Sequence, residues 1–293
     1  LAAGYGSCQH PFLGDLTATA MPPSSTRPGL RLLLERQLAG TLPVEPELVL
    51  VTDLDGTLLG GDATWRRALY SWLEAERHRV LHLFSTGRDL RSVQRLLKEE
   101  AAMGLGAPHL VIGDVGCSVA CGQSMNLVPL AVDPIEARWQ GLAERLLPLL
   151  AELPGISPQP VTADRRLAYL IDPSRIDRAR IQALEVHGVD CLVSDDKYLD
   201  VLPAGVNKGT TLLAVLDLLE VDPSRVVTAG DTLNDLAMFE TGLAGVMVAN
   251  AEPALQQMLP QLPNTYRARG EGCEGIVEGL RHFGFGSLLE AWF

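Results

Sequence analysis

From Glu47 onward the apolar residues come in short continuous runs, each closed by a polar cluster. Leu48-Val49-Leu50-Val51 leads into Thr52-Asp53-Leu54-Asp55-Gly56-Thr57, which predicts a buried strand breaking into a loop. Trp65, Leu69, Trp72 and Leu73 then fall at helical spacing. Residues 80–84 predict a second strand, ending in Ser85-Thr86-Gly87-Arg88, and Val93, Leu96 and Leu97 mark another helix. A third strand comes at Leu110-Val111-Ile112. Strands apolar on both faces that alternate with helices predict a parallel sheet covered on both sides. In such sheets ligands bind outside the carboxyl ends of the strands, where both polar clusters lie.

The rhythm changes over residues 127–202. A helical stretch over 134–153, a strand over 167–171, a helix through Ile176, Ile181 and Leu184, and a strand over 191–193 predict a small α+β module. After Pro203 the first rhythm resumes, with a helix over 208–219, a strand over 226–229, the cluster Gly230-Asp231-Thr232-Leu233-Asn234-Asp235, and a last strand over 246–248. The expected fold class is therefore α/β: a three-layer, Rossmann-like parallel-sheet core over 47–126 and 203–293, with an α+β domain inserted at 127–202. Residues 1–46 are rich in Pro, Gly, Ser and Thr and carry one apolar stripe, Leu30, Leu33, Leu34 and Leu38. They read as an extension or linker with a short helix, and as a point of fusion to a partner.

Charge narrows the partners. Twenty-four basic residues stand against 36 acidic ones, a net charge of −12, which argues against a nucleic-acid partner. The basic residues are 21 arginines and only three lysines, Lys98, Lys197 and Lys208, so a lysine here is an uncommon choice. No apolar run approaches the ~18 to 20 residues of a membrane helix, and residues 1–29 lack the basic-then-apolar pattern of a secretory signal. Five cysteines at scattered positions (8, 117, 121, 191 and 273) include one lone C-x3-C with no second ligand pair. Reduced, buried thiols in a cytoplasmic chain are the simpler reading.

Four clusters carry chemistry. Asp53 and Asp55 come after a buried strand with one residue between them, so both can face a pocket, and Gly56 permits a sharp turn. Ser85-Thr86-Gly87 offers a hydroxyl and free N–H groups ahead of a helix, the elements of an anion site. Lys208 opens an apolar helical run, where a cation opposes the helix dipole; it suits a compact charge aimed at an anion. Asp231, Asn234 and Asp235 place hard oxygen donors at a strand end and one turn further on, as Mg²⁺ requires.

In this order the four clusters resemble the motifs of the haloacid dehalogenase superfamily of phosphotransferases: DxDGT, Ser/Thr, Lys and GDxxxD. Thirty residues separate Asp55 from Thr86, leaving no room for a domain, whereas 121 separate Thr86 from Lys208, the position of the C2-type cap of that superfamily. Within this branch Phe84-Ser85-Thr86-Gly87-Arg88, Ala168-Tyr169-Leu170-Ile171-Asp172-Pro173, Asp200-Val201-Leu202-Pro203, Asn207-Lys208-Gly209 and the segments 230–241 and 248–253 resemble the sucrose-phosphate phosphatases. One departure bears on the substrate: where a Gly-Thr/Ser-Glu-Ile segment is expected, this chain has Gly116-Cys117-Ser118-Val119. A carboxylate at the pocket mouth is thus expected to be missing.

The resemblance implies a phosphoric monoester hydrolase. Asp53 would be the nucleophile and Asp55 the general acid and base. Mg²⁺ would be held by Asp53, the Asp55 backbone carbonyl and Asp231, and phosphate by Thr86, Gly87, Lys208 and Asn234, with Asp235 in support. The cap would read the sugar through Arg165, Arg166, Tyr169, Lys197 and Tyr198. Arg165 and Arg166 read more simply as a solvated charged turn, and Arg88 equally as a substrate contact or a helix start. The implied substrate resembles sucrose 6-phosphate. Glucosylglycerol, mannosylglycerate and mannosylfructose phosphates, all linked to compatible-solute synthesis, are alternatives. A phosphomutase or a phospho-acceptor receiver is more distant, since receivers are shorter and need no carboxylate at the place of Asp55.

Overall fold

The computed structural model describes residues 29–161 and 164–293; Cys8 and the first 28 residues of the expected extension lie outside them. The chain opens with α1 (Leu30–Glu35) and enters the first strand, β1 (Leu48–Thr52). It continues through α2 (Ala63–Ala75), β2 (Val80–Ser85), α3 (Leu90–Glu99), β3 (Leu110–Gly113) and β4 (Ser118–Cys121). A second set comprises α4 (Pro129–Trp139), α5 (Leu142–Ala151), β5 (Ile156–Pro158), β6 (Leu167–Ile171), α6 (Arg178–Gln182), β7 (Val189–Ser194) and β8 (Tyr198–Pro203). The last third contains α7 (Lys208–Leu219), β9 (Val226–Gly230), α8 (Leu236–Phe239), β10 (Ala244–Met247), α9 (Pro253–Met258), β11 (Thr265–Arg267) and α10 (Gly272–His282).

The fold is α/β. A seven-stranded sheet runs β11-β10-β9-β1-β2-β3-β4, parallel except for the β3–β4 hairpin. Every residue of β1, β2 and β9 is buried, because helices cover both faces. Alternation divides β1 between two layers. Leu48 and Leu50 pack with Trp72 of α2, Val93 of α3 and Ile276 of α10, while Val49 and Val51 pack with Leu212, Val215 and Leu219 of α7. Each such buried side chain contributes about 1.5–3 kcal/mol. The described part of the extension belongs to the second layer, since Leu34 and Leu42 are buried beside α7. The sheet also continues past the strand expected to be last, as β11 pairs with β10.

A second, antiparallel sheet runs β5-β6-β8-β7. One face packs on α5 and α6 through Leu146, Leu150, Ile181, Tyr169, Leu199 and Val201. Its other face, carrying Tyr198 and Asp200, looks toward the loops of the large sheet. The single helix expected over 134–153 is two, broken at Gln140-Gly141, where Gly141 takes φ +74°. Among the described residues no helix is long and apolar enough to cross a membrane.

Candidate active site

The carboxyl ends of β1, β2 and β9 and the start of α7 converge on one pocket. Asp53 leaves β1 with its N–H still bonded to Ala229 of β9 at 2.9 Å. The chain then turns at Gly56, φ +80°, where a Cβ would lie 2.1 Å from Asp231 Oδ2. Only glycine fits both the dihedral and the space. The turn is fastened by Asn250, whose Nδ2 donates to the Gly56 carbonyl at 2.8 Å, and by Thr57, whose hydroxyl donates to Asp231 Oδ1 at 2.6 Å.

Lys208 is the first residue of α7, capped by Asn207, whose Oδ1 accepts from Thr210 N at 2.9 Å. Its side chain is fully buried, and Nζ donates at 2.6 Å to each of Asp53 Oδ1, Asn234 Oδ1 and Asp235 Oδ1. The ammonium's three donors are thereby used. The other Asp235 oxygen accepts from Asp231 N and Thr232 N at 2.9 and 3.0 Å. Asp235 is thus turned away from the cavity, whereas one oxygen each of Asp53 and Asp231 accepts no bond from the described residues.

Asp53, Asp231 and Asp235 offer carboxylate oxygens within 4.8 Å of one another. Against them stands one ammonium, so with all three carboxylates ionised the buried base of the pocket has an excess of two negative charges. Burial, opposed in part by the Lys208 charge, pushes Asp53 well above the usual carboxylate range. Burial and then the charge of Asp235 push Asp231 up to about 7. Burial also works against the Lys208 charge, but Asp235 and Asp53 outweigh it and hold the ammonium above its usual range. Hard oxygen donors with a deficit of two charges fit a small divalent cation.

Above this base lies a cavity of about 540 Å³, lined by Asp53, Asp55, Gly87, Arg88, Asp231 and Asn234 from the large sheet and by Gln159, Val161, Ser194, Asp195, Tyr198 and Asp200 from the smaller one. Asp55 is held by Arg88, which donates from Nε to Oδ2 at 2.7 Å and from Nη2 to Oδ1 at 2.6 Å. Thr86 is buried, and its hydroxyl accepts from Arg88 N at 3.2 Å.

The structure separates the remaining candidates. Tyr198 and Arg166 line the cavity, but Arg166 is itself buried and committed. Its guanidinium pairs with Asp114 at 3.1 Å, bonds Asp200, and donates to the Gly87 carbonyl at 2.9 Å. Arg165 is buried beside it, donating to the Cys117 carbonyl at 2.8 Å and to Ser118 Oγ at 2.9 Å. The two arginines are therefore no solvated turn; they fasten one sheet to the other. Burial pushes Asp114 and Asp200 upward despite the facing Arg166 charge. Tyr169 lies on the helix-backed face of β6, one residue out of phase with the cavity. Lys197 is exposed, its ammonium 5.0 Å from the centre of the Tyr198 ring. Ser118, in the segment where a pocket-mouth carboxylate is expected, is buried in the Asp114–Arg165 network and does not line the cavity.

Sequence reasoning misses Gln159, Ser194, Asp195, Asp114 and Asp200. Asp114 and Asp200 carry a signal, each interrupting an apolar run, in Val111-Ile112-Gly113-Asp114-Val115 and Leu199-Asp200-Val201-Leu202. Gln159, Ser194 and Asp195 carry none.

The sucrose-6F-phosphate phosphohydrolase family profile matches residues 46–284. Over 240 residues the chain is 39% identical to a glucosylglycerol-phosphate synthase of Pseudomonas anguilliseptica, a match that spans 81% of this chain and 31% of that protein. The chain thus spans about a third of the length of that relative. It is 29% identical over 250 residues to the mannosylfructose-phosphate phosphatase of Agrobacterium fabrum, covering 82% of this chain and 98% of that one. Among solved structures, the sucrose-phosphatase of Synechocystis in complex with sucrose and phosphate superposes with a TM-score of 0.73 at 28% identity, over 81% of this chain and 98% of that one.

Proposed function

The chain belongs to the sucrose-6F-phosphate phosphohydrolase family, and from that premise we propose that it is a magnesium-dependent phosphatase releasing inorganic phosphate from a sugar phosphate. The observation that carries this reading is the fully buried Lys208, 2.6 Å from Asp53 Oδ1, beside a second carboxylate, Asp231, at the floor of the cavity.

Asp53 attacks phosphorus through the oxygen that Lys208 leaves free, forming an aspartyl-phosphate and releasing the sugar oxygen. Asp55 protonates that oxygen, then takes a proton from the water that cleaves the acyl phosphate. Such general acid–base steps contribute about 10² to 10⁴-fold. Thr86, the Gly87 N–H and Asn234 face the phosphoryl oxygens as charge spreads over them, and Lys208, its three donors committed, adds its positive charge from below. Asp53, the Asp55 carbonyl and Asp231 would hold a magnesium ion, which would supply the two missing positive charges and Lewis-acid stabilisation. Residues 127–202 act as a cap whose Gln159, Ser194, Asp195 and Tyr198 meet the sugar hydroxyls.

A sucrose-6F-phosphate-like ester is the first substrate to try. Glucosylglycerol phosphate is the second, favoured by the higher identity to the glucosylglycerol-phosphate synthase. The experiment is phosphate release from these two esters and mannosylfructose phosphate, with Mg²⁺ and after chelation. Many turnovers on at least one ester, abolished by chelator and restored by Mg²⁺, are expected. Absence of release from all three with Mg²⁺ would overturn the reading.

A further inference from the structure

The Arg88–Asp55 pair bears on how the site separates sugar phosphates from smaller esters, a question that rests on the phosphatase reading. That reading gives Asp55 the proton transfers at the leaving oxygen. Both of its carboxylate oxygens, however, accept from one guanidinium, at 2.7 and 2.6 Å. Arg88 is steadied in turn by Ser92, whose Oγ lies 3.3 Å from Nη1. In this fork-to-fork arrangement both Asp55 oxygens are committed to Arg88.

The two cations in the cavity wall differ in freedom. Arg166 is 4% exposed and bonded to Asp114, Asp200 and the Gly87 carbonyl. Arg88 and Asp55 have side chains 30% and 60% exposed, so water can take up either partner and the pair parts at little cost. Lys197, the lysine nearest in sequence to Tyr198, does not line the cavity. Arg88 is therefore the cavity cation whose partner can be exchanged, and within the cavity a bound polyol offers it new acceptors.

We propose that Arg88 is a specificity-determining latch. Hydroxyls of the leaving group next to the ester oxygen take over the Arg88 donors, and the Asp55 carboxyl group turns toward the leaving oxygen. An ester without neighbouring hydroxyls leaves the latch closed. The latch governs where Asp55 points, and the proton transfers remain those given above. Binding energy from the non-reacting part of the substrate is thereby used to assemble the catalytic arrangement.

The test compares wild type, Arg88→Gln and Arg88→Lys on sucrose-6F-phosphate, glucosylglycerol phosphate and ethyl phosphate, whose leaving group needs a proton but has no hydroxyls. In Arg88→Gln the rate on ethyl phosphate should rise, because Asp55 is no longer held, while kcat/KM on the sugar ester falls about tenfold with the lost hydroxyl contacts. The sugar-to-ethyl ratio of kcat/KM then collapses by about tenfold or more. Arg88→Lys keeps the charge but cannot hold both oxygens, and should give a ratio between the two. Equal losses on both kinds of ester would overturn the latch, leaving Arg88 only to orient Asp55, and unchanged rates would overturn it too. Wild-type turnover of a sugar ester separates these outcomes from failure of the phosphatase reading. If wild type releases no phosphate from any ester, the reading fails and the latch with it.

Discussion

Lys208 and Arg166 are both buried cations facing two aspartates, yet they serve different regions. Lys208 sits at the base of the pocket, and its partners Asp53, Asn234 and Asp235 all come from strand ends of one sheet. With Asp231 alongside, the ionised base is two positive charges short of neutrality. Arg166 sits at the junction between the sheets, bonding Asp114 and the Gly87 carbonyl on one side and Asp200 on the other. The base keeps two carboxylate oxygens open for chemistry, whereas at the junction the cation's donors are spent on holding position. A buried ion pair thus shows its purpose by the acceptors it leaves free.

The contrast can be broken in three ways. Asp53→Asn has the largest expected effect, a loss of turnover beyond about 10⁴-fold. The amide oxygen still accepts from Lys208, so the urea midpoint should stay at the wild-type value. Turnover that survives would move the nucleophile elsewhere. Arg166→Gln should do the reverse, leaving measurable turnover but costing about 3 kcal/mol in urea unfolding, because Asp114 and Asp200 are left buried without their partner. A variant as stable as wild type would mean that Arg166 holds nothing together. Tyr198→Ala, at the cavity wall, has the smallest effect, with KM raised about fivefold and kcat nearly unchanged, as for uniform substrate binding. A comparable fall in kcat would draw the smaller sheet into the chemistry itself.

The base of the pocket is legible in the sequence because parallel strands buried on both faces have one place for polar side chains, their carboxyl ends. Asp53, Thr86, Lys208 and Asp231 each interrupt or border an apolar run, so their position is set by the backbone. Apart from Asp200, the smaller sheet carries no such signal. Its strands are short and antiparallel, where a slip of one residue exchanges the faces. Without that phase Tyr169 and Tyr198 both read as facing the substrate, yet of the two Tyr198, one strand over, lines the cavity. Arg165 and Arg166 look like a solvated turn because their partners lie far along the chain, Asp114 being 52 residues from Arg166 and Cys117 48 from Arg165. The break at Gly141 leaves no mark because the apolar stripe runs on through both helices.

Arg166 also has a consequence for how such a chain could be reduced. The carbonyl it holds belongs to Gly87, in the loop proposed to hold phosphate. The segment that carries Arg166 therefore holds that loop in place. A shortened version lacking residues 127–202 would not be a less selective hydrolase of small esters. It would retain its acidic floor and lose the brace on the Gly87 wall of the cavity.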